Sequence, residues 1–448
     1  MNEQQTNTEI DTAVQEPKKT QNVFKNKNFV LLFLGTLVTN VGAMFYSFAI
    51  SFYILDLTGN NALIQGIYLA FCGIIYVLMS PFGGVLADRW KKAKIIFMSD
   101  YIRGAFIGLS AVATFFIMKA GNVTLQVVLL FAIGFVSNII SAIFDPASSA
   151  LLPLLVESDR IQQANSYFQI LRNLQSVLGI LLAGILYSLV PIHVLFAIIA
   201  TCYLISGFSE MFIKHEYTPP VEKTTMKAMV ADFKDGIRYL KTQKAIVSML
   251  FLLLFINFFF APFYSNGMPY FIKLYVANQN YLFKDFLQPE MWSSIFSTAF
   301  SIGSIVMGAI LSVKAMSKKC GRSLKIGTIL IAVVLAIVVA LFYILVESGV
   351  NFNLYLILLA AAMLIIGIIV SFINVPIMSV MMIKIDRQYQ AKVFSLLSIG
   401  SQGLIPIALF LGGLILNNLG LGALYLFCAL GFVTIMVFTA ANKSIEEF

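Results

Sequence analysis

The sequence predicts an all-α integral membrane protein with twelve spanning helices in two pseudo-symmetric six-helix bundles. Of its 448 residues, 59% are hydrophobic and 11% are charged, whereas soluble domains are roughly 45 to 50% apolar. Twelve apolar runs lie between Phe29 and Ala441, each near the roughly 20 residues that a spanning helix needs. A short polar segment also recurs at corresponding places in the two halves.

The positions of the basic residues predict the orientation. If the N-terminus is cytoplasmic, 25 of the 30 lysines and arginines fall in cytoplasmic segments, and Lys119, Lys273 and Lys284 fall outside. The positive-inside rule then predicts cytoplasmic termini and an even number of spans. The expected location is the cell membrane, inner or cytoplasmic. The net charge of +9 therefore reflects topology, and no nucleic-acid partner is expected.

The sequence carries no signal for a cofactor, a metal or an enzymatic reaction. Its four cysteines are isolated from one another, so neither a disulfide framework nor a thiolate metal site is indicated. The glycine-rich, lysine-containing nucleotide motif is also absent from the sequence, which argues against a primary pump. We expect neither an enzyme nor a metal site, and no cofactor.

Composition divides the chain into five segments. Residues 1–27 are polar and lack the apolar core of a secretory signal, so a disordered cytoplasmic tail is expected. The linker at 214–244 has apolar residues at helical spacing, which predicts an amphipathic helix along the inner membrane surface. The remaining segments are the first bundle (28–213), the second bundle (245–441) and a short cytoplasmic tail (442–448).

The first two helices are joined to the third by a short polar segment. Helix 1 is predicted at 29–55 and helix 2 at 62–86, with a turn signal between them. Residues 83–94 follow, and five of the seven residues from Asp88 to Lys94 are charged. The segment is too short for a domain, so it is interpreted as a tight loop between two spanning helices.

Helix 3 is predicted at 94–118 and carries a pair of opposite charges. Asp100 and Arg103 are three residues apart, so they lie on one face of a helix and are expected to pair. The simpler interpretation is a structural ion pair near the cytoplasmic mouth.

Helices 4 and 5, at 124–156 and 163–189, each carry a charge within the membrane, Asp145 and Arg172. A charge at mid-bilayer costs about 2.5 to 3.5 kcal/mol, so such residues usually pair, line water or carry function. The two lie at similar expected depth on adjacent helices. Two interpretations stay open: a movable pair that couples proton transfer to conformational change, and a permanent ion pair that closes the first bundle.

The other spans carry few polar positions. Interhelical hydrogen bonding explains the candidate cavity contacts as well as substrate binding does; these are Asn40, Gln169, Asn173 and Gln402. Helix 7, at 245–272, contains two prolines and a glycine, which predict a bend or local unwinding. The remaining helices are predicted at 194–213 (helix 6), 291–313, 324–346, 354–383, 391–417 and 420–441 (helices 8 to 12).

An internal repeat supports the division into halves. Residues 159–164 and 386–391 match at four of six positions, and each segment follows a proline-containing helix. Weak symmetry between two helical halves is typical of transporters built from repeats, which bind substrate near the bilayer midplane between the halves.

Residues 29–441 resemble the major facilitator superfamily. The family has a loop between helices 2 and 3 with a glycine, three residues, an aspartate, an arginine and a basic cluster. The resemblance implies that this loop locks one conformation, with Asp88 accepting hydrogen bonds from an arginine or a helix N-terminus. Ser312 stands where a second copy would have the aspartate. The matching residues are Gly84, Asp88, Arg89, Lys92 and Lys94, and Lys91 stands where the motif usually has glycine.

Residues 144–147, 151–153 and 163–166 resemble the bacterial macrolide-efflux and enterobactin-exporter-like branch of the family. The resemblance implies a monomer that exports an amphipathic or lipophilic small molecule by alternating access, with the proton as coupling ion. Residues 179–184 depart from the glycine-proline-glycine-glycine signature of proton-coupled drug exporters. Two alternatives remain: a lipid or lysophospholipid flippase of the same fold, and a membrane partner or sensor that transports nothing.

Overall fold

In a computed structural model, the chain forms two bundles of membrane-spanning helices. The structure describes residues 23–157, 161–214, 234–235, 237–240, 242–313, 320–385 and 403–441. Within these ranges, eleven helical segments are long and apolar enough to cross a membrane. The predicted all-α membrane fold is confirmed.

The helices agree with the predicted spans to within a few residues at most ends. The first bundle contains α1 (Lys27–Leu57), α2 (Ala62–Arg89), α3 (Lys92–Ala120), α4 (Val123–Leu155), α5 (Ile161–Leu174, extended through the π-helical turn Gln175–Gly179 into Ile180–Leu189) and α6 (Ile192–Glu210). The second contains α7 (Lys244–Ala261, extended through Pro262–Gly267, Met268–Phe271 and Ile272–Val276), α8 (Pro289–Val313), α9 (Cys320–Leu341, extended by Phe342–Glu347), α10 (Phe352–Lys384) and the segment Ile405–Ala441.

The last segment holds two spans. Its 37 residues correspond to about 55 Å of helix, whereas the hydrocarbon core is about 30 Å thick. Gly420 interrupts it with φ 82° and ψ −179°, a conformation that favours glycine. We name the part before Gly420 α11 and the part after it α12, which gives the twelve helices of the prediction.

The predicted irregularity of helix 7 is present. Residues Pro262–Gly267 and Ile272–Val276 form π-helical turns on either side of a short α-helical piece. A proline lacks an N–H and cannot complete the regular hydrogen-bond ladder. The helix therefore widens locally and continues across the membrane instead of unwinding.

Asparagine side chains begin several helices. Asn61 accepts hydrogen bonds from Leu63 N and Ile64 N at 3.1 and 3.2 Å, and Asn122 accepts one from Leu125 N at 3.0 Å. Such caps satisfy the free N–H groups at a helix start. The connections α1–α2 and α3–α4 can therefore be very short, and they hold successive helices antiparallel.

The N-terminal tail was predicted to extend over residues 1–27, but ordered structure is already present at Val23. Val23 is buried against residues of α1, α2 and α4, and residues Val23–Lys25 form a 3₁₀ turn. Asn26 then caps α1 and donates a hydrogen bond to Leu155 O at 2.6 Å. Burial of Val23 attaches this segment to the bundle, a contact that local polarity does not reveal.

Most of the predicted linker at 214–244 lies outside the described residues. Residues 237–240 are helical and Leu240 is buried. The repeated segment 386–391 and the beginning of the predicted helix 11 lie outside them as well.

The two bundles use the same close helix contact. A Cβ atom at Gly83 of α2 would overlap the carbonyl oxygen of Ala142 on α4, and one at Gly303 of α8 would overlap that of Leu364 on α10. These helix pairs occupy corresponding positions in the two halves, so the pseudo-symmetry extends to packing.

The ends of the bundles differ in charge. We call the end where α1 begins and where α2 meets α3 the basic end, because Lys27, Lys91, Lys92 and Lys214 lie there. The other end holds the α1–α2, α3–α4 and α7–α8 connections, and we call it the far end.

Candidate functional site

The polar segment at 83–94 is mostly helical, which corrects the predicted loop. Helix α2 continues to Arg89 and α3 begins at Lys92, so only Trp90 and Lys91 connect them. Asp88 and Arg89 therefore belong to the last turn of α2, and their side chains lie outside the described residues. A Cβ atom at Gly84 would meet nothing within 4 Å, so this glycine faces open space in the present conformation.

The lysines of this segment line a basic cavity at the basic end. The cavity has a volume of about 600 Å³ and lies between the start of α3 and the end of α6. Four lysines give it a positive charge, while Phe97 and Ile213 add an apolar wall; the lysines are Lys91, Lys92, Lys94 and Lys214.

Asp145 and Arg172 lie on adjacent helices, as predicted. Asp145 Oδ2 accepts a hydrogen bond from Tyr76 OH of α2 at 2.8 Å. The Arg172 side chain on α5 is exposed. The pairing of Asp145 with Arg172 stays a prediction, and Tyr76 is a partner that the sequence did not indicate.

Asp100 and Arg103 are both buried in the first bundle, and each has a hydrogen-bond contact with a neighbouring helix, while their pairing as opposite charges stays a prediction. Asp100 Oδ2 lies within hydrogen-bond distance of the Thr39 hydroxyl of α1, and Arg103 Nη2 donates to Ser141 Oγ of α4 at 3.1 Å. Within the described residues, no hydrogen bond joins the two charged side chains. Helical spacing places them on one face, yet the neighbouring helices offer nearer partners to each.

Arg103 is also held by aromatic rings. Its Cζ lies 4.8 Å from the ring centroid of Tyr203 on α6 and 5.8 Å from that of Phe144 on α4. A guanidinium over a desolvated ring is stabilised by about 2 kcal/mol. Arg103 therefore carries its charge in the core of the first bundle.

Glu210, at the end of α6, was not predicted as a site residue. It is 0% exposed, and neither of its carboxyl oxygens has a hydrogen-bond partner in the described structure. A Cβ atom at Gly35 of α1 would lie 2.5 Å from Glu210 Cγ, so a larger residue at position 35 would require the Glu210 side chain to move. A glutamate at a helix end normally faces solvent, which is why the sequence alone did not single it out.

Two hydroxyls connect these residues. Thr39 Oγ1 lies 2.7 Å from Ser206 Oγ of α6, and Ser206 donates to Gly35 O at 2.9 Å. Both hydroxyls are buried. We call Gly35, Thr39, Asp100, Arg103, Ser206 and Glu210 the buried polar cluster.

The far end is closed by an ionic bridge between the bundles. Lys273 Nζ of α7 lies 2.8 Å from Asp56 Oδ1 of α1 and 2.5 Å from Glu290 Oε1 of α8. Tyr187 OH of α5 donates to Asp56 Oδ2 at 2.7 Å, and its ring centroid lies 5.6 Å from Lys273 Nζ. A lysine of one bundle therefore joins acidic residues of both.

Helices α2 and α11 of the two bundles are also in close contact. A Cβ atom at Gly413 of α11 would lie 2.6 Å from Ala62 O and 2.8 Å from Gly66 Cα of α2, and one at Gly73 would lie 2.8 Å from Pro406 Cγ. We call the Gly66–Gly413 contact the glycine seam. Ser294 Oγ of α8 also donates to Ile180 O of α5 at 2.9 Å.

One of the four predicted cavity contacts is described. Asn40 Nδ2 donates to Gln175 Oε1 at 3.2 Å, and Gln175 Nε2 donates to Leu37 O. The bond joins α1 to the π-helical turn of α5. The side chains of Gln169, Asn173 and Gln402 lie outside the described residues, as does that of Ser312.

Acidic, histidine and cysteine side chains in the described ranges form no group of three that could hold a metal ion. The described residues instead form two sets of contacts. One closes the far end between the bundles, and the other is the buried polar cluster within the first bundle.

Comparisons with known sequences agree on one family. The sequence profile of the Major Facilitator Superfamily matches residues 32–408. YkuC of Bacillus subtilis (strain 168), an uncharacterized MFS-type transporter, is 27% identical over 310 residues, which cover 65% of this chain and 66% of that protein. Macrolide efflux protein A of Streptococcus pyogenes is 22% identical over 408 residues, which cover 89% of this chain and 91% of that protein.

Solved structures share the fold. A bacterial homologue of the iron transporter ferroportin in the inward-facing state superposes with a TM-score of 0.69 at 15% identity, covering 94% of this chain and 100% of that one. A POT family transporter in complex with 5-aminolevulinic acid superposes with a TM-score of 0.71 at 14% identity, covering 92% and 94%. At these identities the likeness concerns the fold alone.

Proposed function

Because the chain belongs to the major facilitator superfamily, we propose that it exports an amphipathic or lipophilic small molecule across the bacterial cell membrane in exchange for protons. It is a multi-pass transporter and not an enzyme, since the family and the matched relatives are transporters. We propose the direction of transport, the substrate class, the coupling ion and a monomeric working unit.

The observation that carries the proposal is the match to Macrolide efflux protein A, because it extends over 89% of this chain and 91% of that protein. Macrolides are large, mostly apolar molecules with polar groups. A similar substrate would suit a protein whose spans are rich in aromatic and aliphatic side chains.

The ionic bridge supports alternating access. With the basic end in the cytoplasm, as the distribution of lysine and arginine indicates, the far end is external and the present conformation is closed to the outside. Transport requires a second conformation of similar free energy that is open there. Lys273 would then have to leave Asp56, and the glycine seam would have to separate.

Exchange with protons needs an intramembrane carboxyl group whose protonation differs between the two conformations. Asp145 and Arg172 are proposed for this role. Asp145 accepts a hydrogen bond from Tyr76 of α2, and α2 also forms the glycine seam, so motion of α2 would change the surroundings of Asp145.

Purified protein in proteoliposomes tests the function. A macrolide and a lipophilic cationic dye serve as probes, with an imposed pH gradient. We expect movement of at least one probe that stops when a protonophore dissipates the gradient. Movement of a fluorescent lysophospholipid without movement of either probe would favour the flippase, and no movement of any of them would contradict transport of this class.

Replacing Asp88 by asparagine is expected to slow transport about tenfold, equivalent to about 1.4 kcal/mol of barrier. Ligand affinity, measured by thermal shift with the same probes, is expected to change less than about twofold. The reason is that the Asp88 charge would stabilise the conformation closed at the basic end, whereas the binding site lies elsewhere.

Asp285→Asn is the matched control, because Asp285 is an exposed carboxylate in the α7–α8 connection. It should leave both quantities unchanged. Equal losses of rate and affinity in Asp88→Asn, or an equal loss of rate in the control, would contradict the proposed lock.

A further inference from the structure

The buried polar cluster contains a chain of three oxygen contacts. Asp100 Oδ2 lies within hydrogen-bond distance of Thr39 Oγ1, Thr39 Oγ1 lies 2.7 Å from Ser206 Oγ, and Ser206 Oγ lies 2.9 Å from Gly35 O. All three side chains are more than nine-tenths buried. The chain ends at a backbone carbonyl oxygen, which can only accept a hydrogen bond.

When Asp100 is ionised, the chain has one proton fewer than it has contacts. Each hydroxyl has one proton to donate. Ser206 donates its proton to Gly35 O. The single proton of the Thr39 hydroxyl can then serve either the contact with Ser206 or the contact with Asp100. If Asp100 is ionised, one contact between buried oxygens has no proton and is repulsive. If Asp100 carries a proton, that proton goes to Thr39, and all three contacts become hydrogen bonds.

We propose that the buried polar cluster is a proton-binding site, with the proton held on Asp100 by Thr39 and Ser206 in the present conformation. This deepens the proposed function, on which its role in coupling rests. It adds to Asp145 a second carboxyl group, one that lies in the core of the first bundle.

Glu210 is an independent observation for the same site. It is fully buried, neither carboxyl oxygen has a partner with hydrogen-bond geometry among the described residues, and it lies one helical turn after Ser206, whose hydroxyl is near enough to interact with it. Asp100 and Glu210 are close enough for their charges to act on each other and for Arg103 to act on both. One guanidinium balances one carboxylate, so a second negative charge would stay uncompensated in a buried place. A proton removes it.

The surrounding helices contribute the other groups that face the site. They are Arg103 on α3, Tyr203 on α6 and Asp145 on α4, which also senses the charge of Arg103. From α1 the neighbours are the uncharged Gly35 and Thr39. Among the described residues, Arg103 is the cation whose charge acts on Asp100.

Loss of the proton would change the packing of α1. With Asp100 ionised, Thr39 donates to Asp100, and the hydrogen bond from α1 to Ser206 of α6 is lost. Helix α1 also carries Asp56, the partner of Lys273 at the far end. Because Thr39 and Asp56 belong to one continuous helix, release of the proton at the cluster and opening of the far end would act on the same element.

Infrared spectroscopy of the purified full-length protein tests the site without a substrate. We expect the C=O stretch of a protonated carboxyl group that disappears in Asp100→Asn and remains in Asp145→Asn. The amide of the introduced asparagine can still donate to Thr39, so the Asp100→Asn variant should fold normally. Thr39→Val keeps the shape but removes the acceptor, and it should shift the band. A band unchanged in both Asp100→Asn and Thr39→Val, or one lost only in Glu210→Gln, would overturn the assignment.

Transport tests the role in coupling separately. In proteoliposomes, Asp100→Asn should still exchange the macrolide or dye probe across the membrane but lose accumulation driven by a pH gradient. Gradient-driven accumulation equal to that of the wild type would exclude coupling through this site. If the wild type moves no probe, the exporter proposal fails, and the infrared result still decides whether Asp100 holds a proton.

Discussion

Lys273→Met is expected to shift the protein about tenfold toward the conformation open at the far end. Lys273 is the one cation in a bridge with two carboxylates, Asp56 in the first bundle and Glu290 in the second. Without it these like charges face each other and repel. In the conformation open at the far end the two carboxylates are separated, so the substitution destabilises only the closed conformation.

The exposure of the partners limits the size of the effect. Removing one partner of a fully buried ion pair costs about 3 to 5 kcal/mol, whereas exposed pairs contribute about 0 to 1 kcal/mol. The side chains of Lys273 and Glu290 are 10% and 13% exposed, but that of Asp56 is 41% exposed. An intermediate value of about 1.4 kcal/mol corresponds to the tenfold shift.

Distances between spin labels measure this shift. Lys119→Cys at the end of α3 and Val350→Cys in the α9–α10 connection are exposed positions at the far end of the two bundles. In a background without the four native cysteines, the long-distance population should grow in Lys273→Met. Lys284→Met removes the same charge from the α7–α8 connection, where the hydrogen bond and the ring contact of its Nζ are both with residues of that connection, and should leave the distribution unchanged. The same growth in both variants would refute the bridge as the closing element.

The helices were predictable because a local sequence pattern marks each of them. A run of apolar residues near the length of the bilayer marks a span wherever it packs, and asparagine before such a run marks its start. The exception was the segment at 83–94. Its charges indicated a loop, but α2 continues as a helix to Arg89, because charged side chains at the end of a spanning helix can reach water.

The site was only partly predictable, because its contacts join distant parts of the chain. Asp100 was singled out as a charge in a span, but its partner Thr39 is 61 residues away, and Glu210 resembles an ordinary solvated helix end. Lys273 did leave a signal. It is one of three basic residues that violate the positive-inside distribution, and such a violation in a short segment is a reason to look for an acidic partner.

Gly413→Val is expected to have the largest effect, preventing closure of the far end. The glycine seam brings two helix backbones together, and a Cβ atom at Gly413 would lie 2.6 Å from Ala62 O and 2.8 Å from Gly66 Cα. Neither atom can move without its helix. Overpacking costs about 1 to 3 kcal/mol, and the upper value corresponds to roughly a hundredfold shift toward the open conformation. The same spin-label distances report it, and export of the probes should fall in proportion to the lost closed population.

A valine substitution at the glycine seam, which lies between the bundles, should have a different effect from one at a glycine contact within a bundle. Comparing the two distinguishes an effect on the equilibrium between conformations from an effect on folding. In Gly413→Val the strain is relieved when α2 and α11 move apart, so the melting temperature should change little while the distances lengthen. In Gly303→Val the overlap with Leu364 O lies within the second bundle and persists in both conformations, so the melting temperature should fall. Gly308→Val, which has nothing within 4 Å of its Cβ, should change neither. A fall in melting temperature for Gly413→Val without longer distances would mean that the α2–α11 contact is permanent and that opening occurs along another pair of helices.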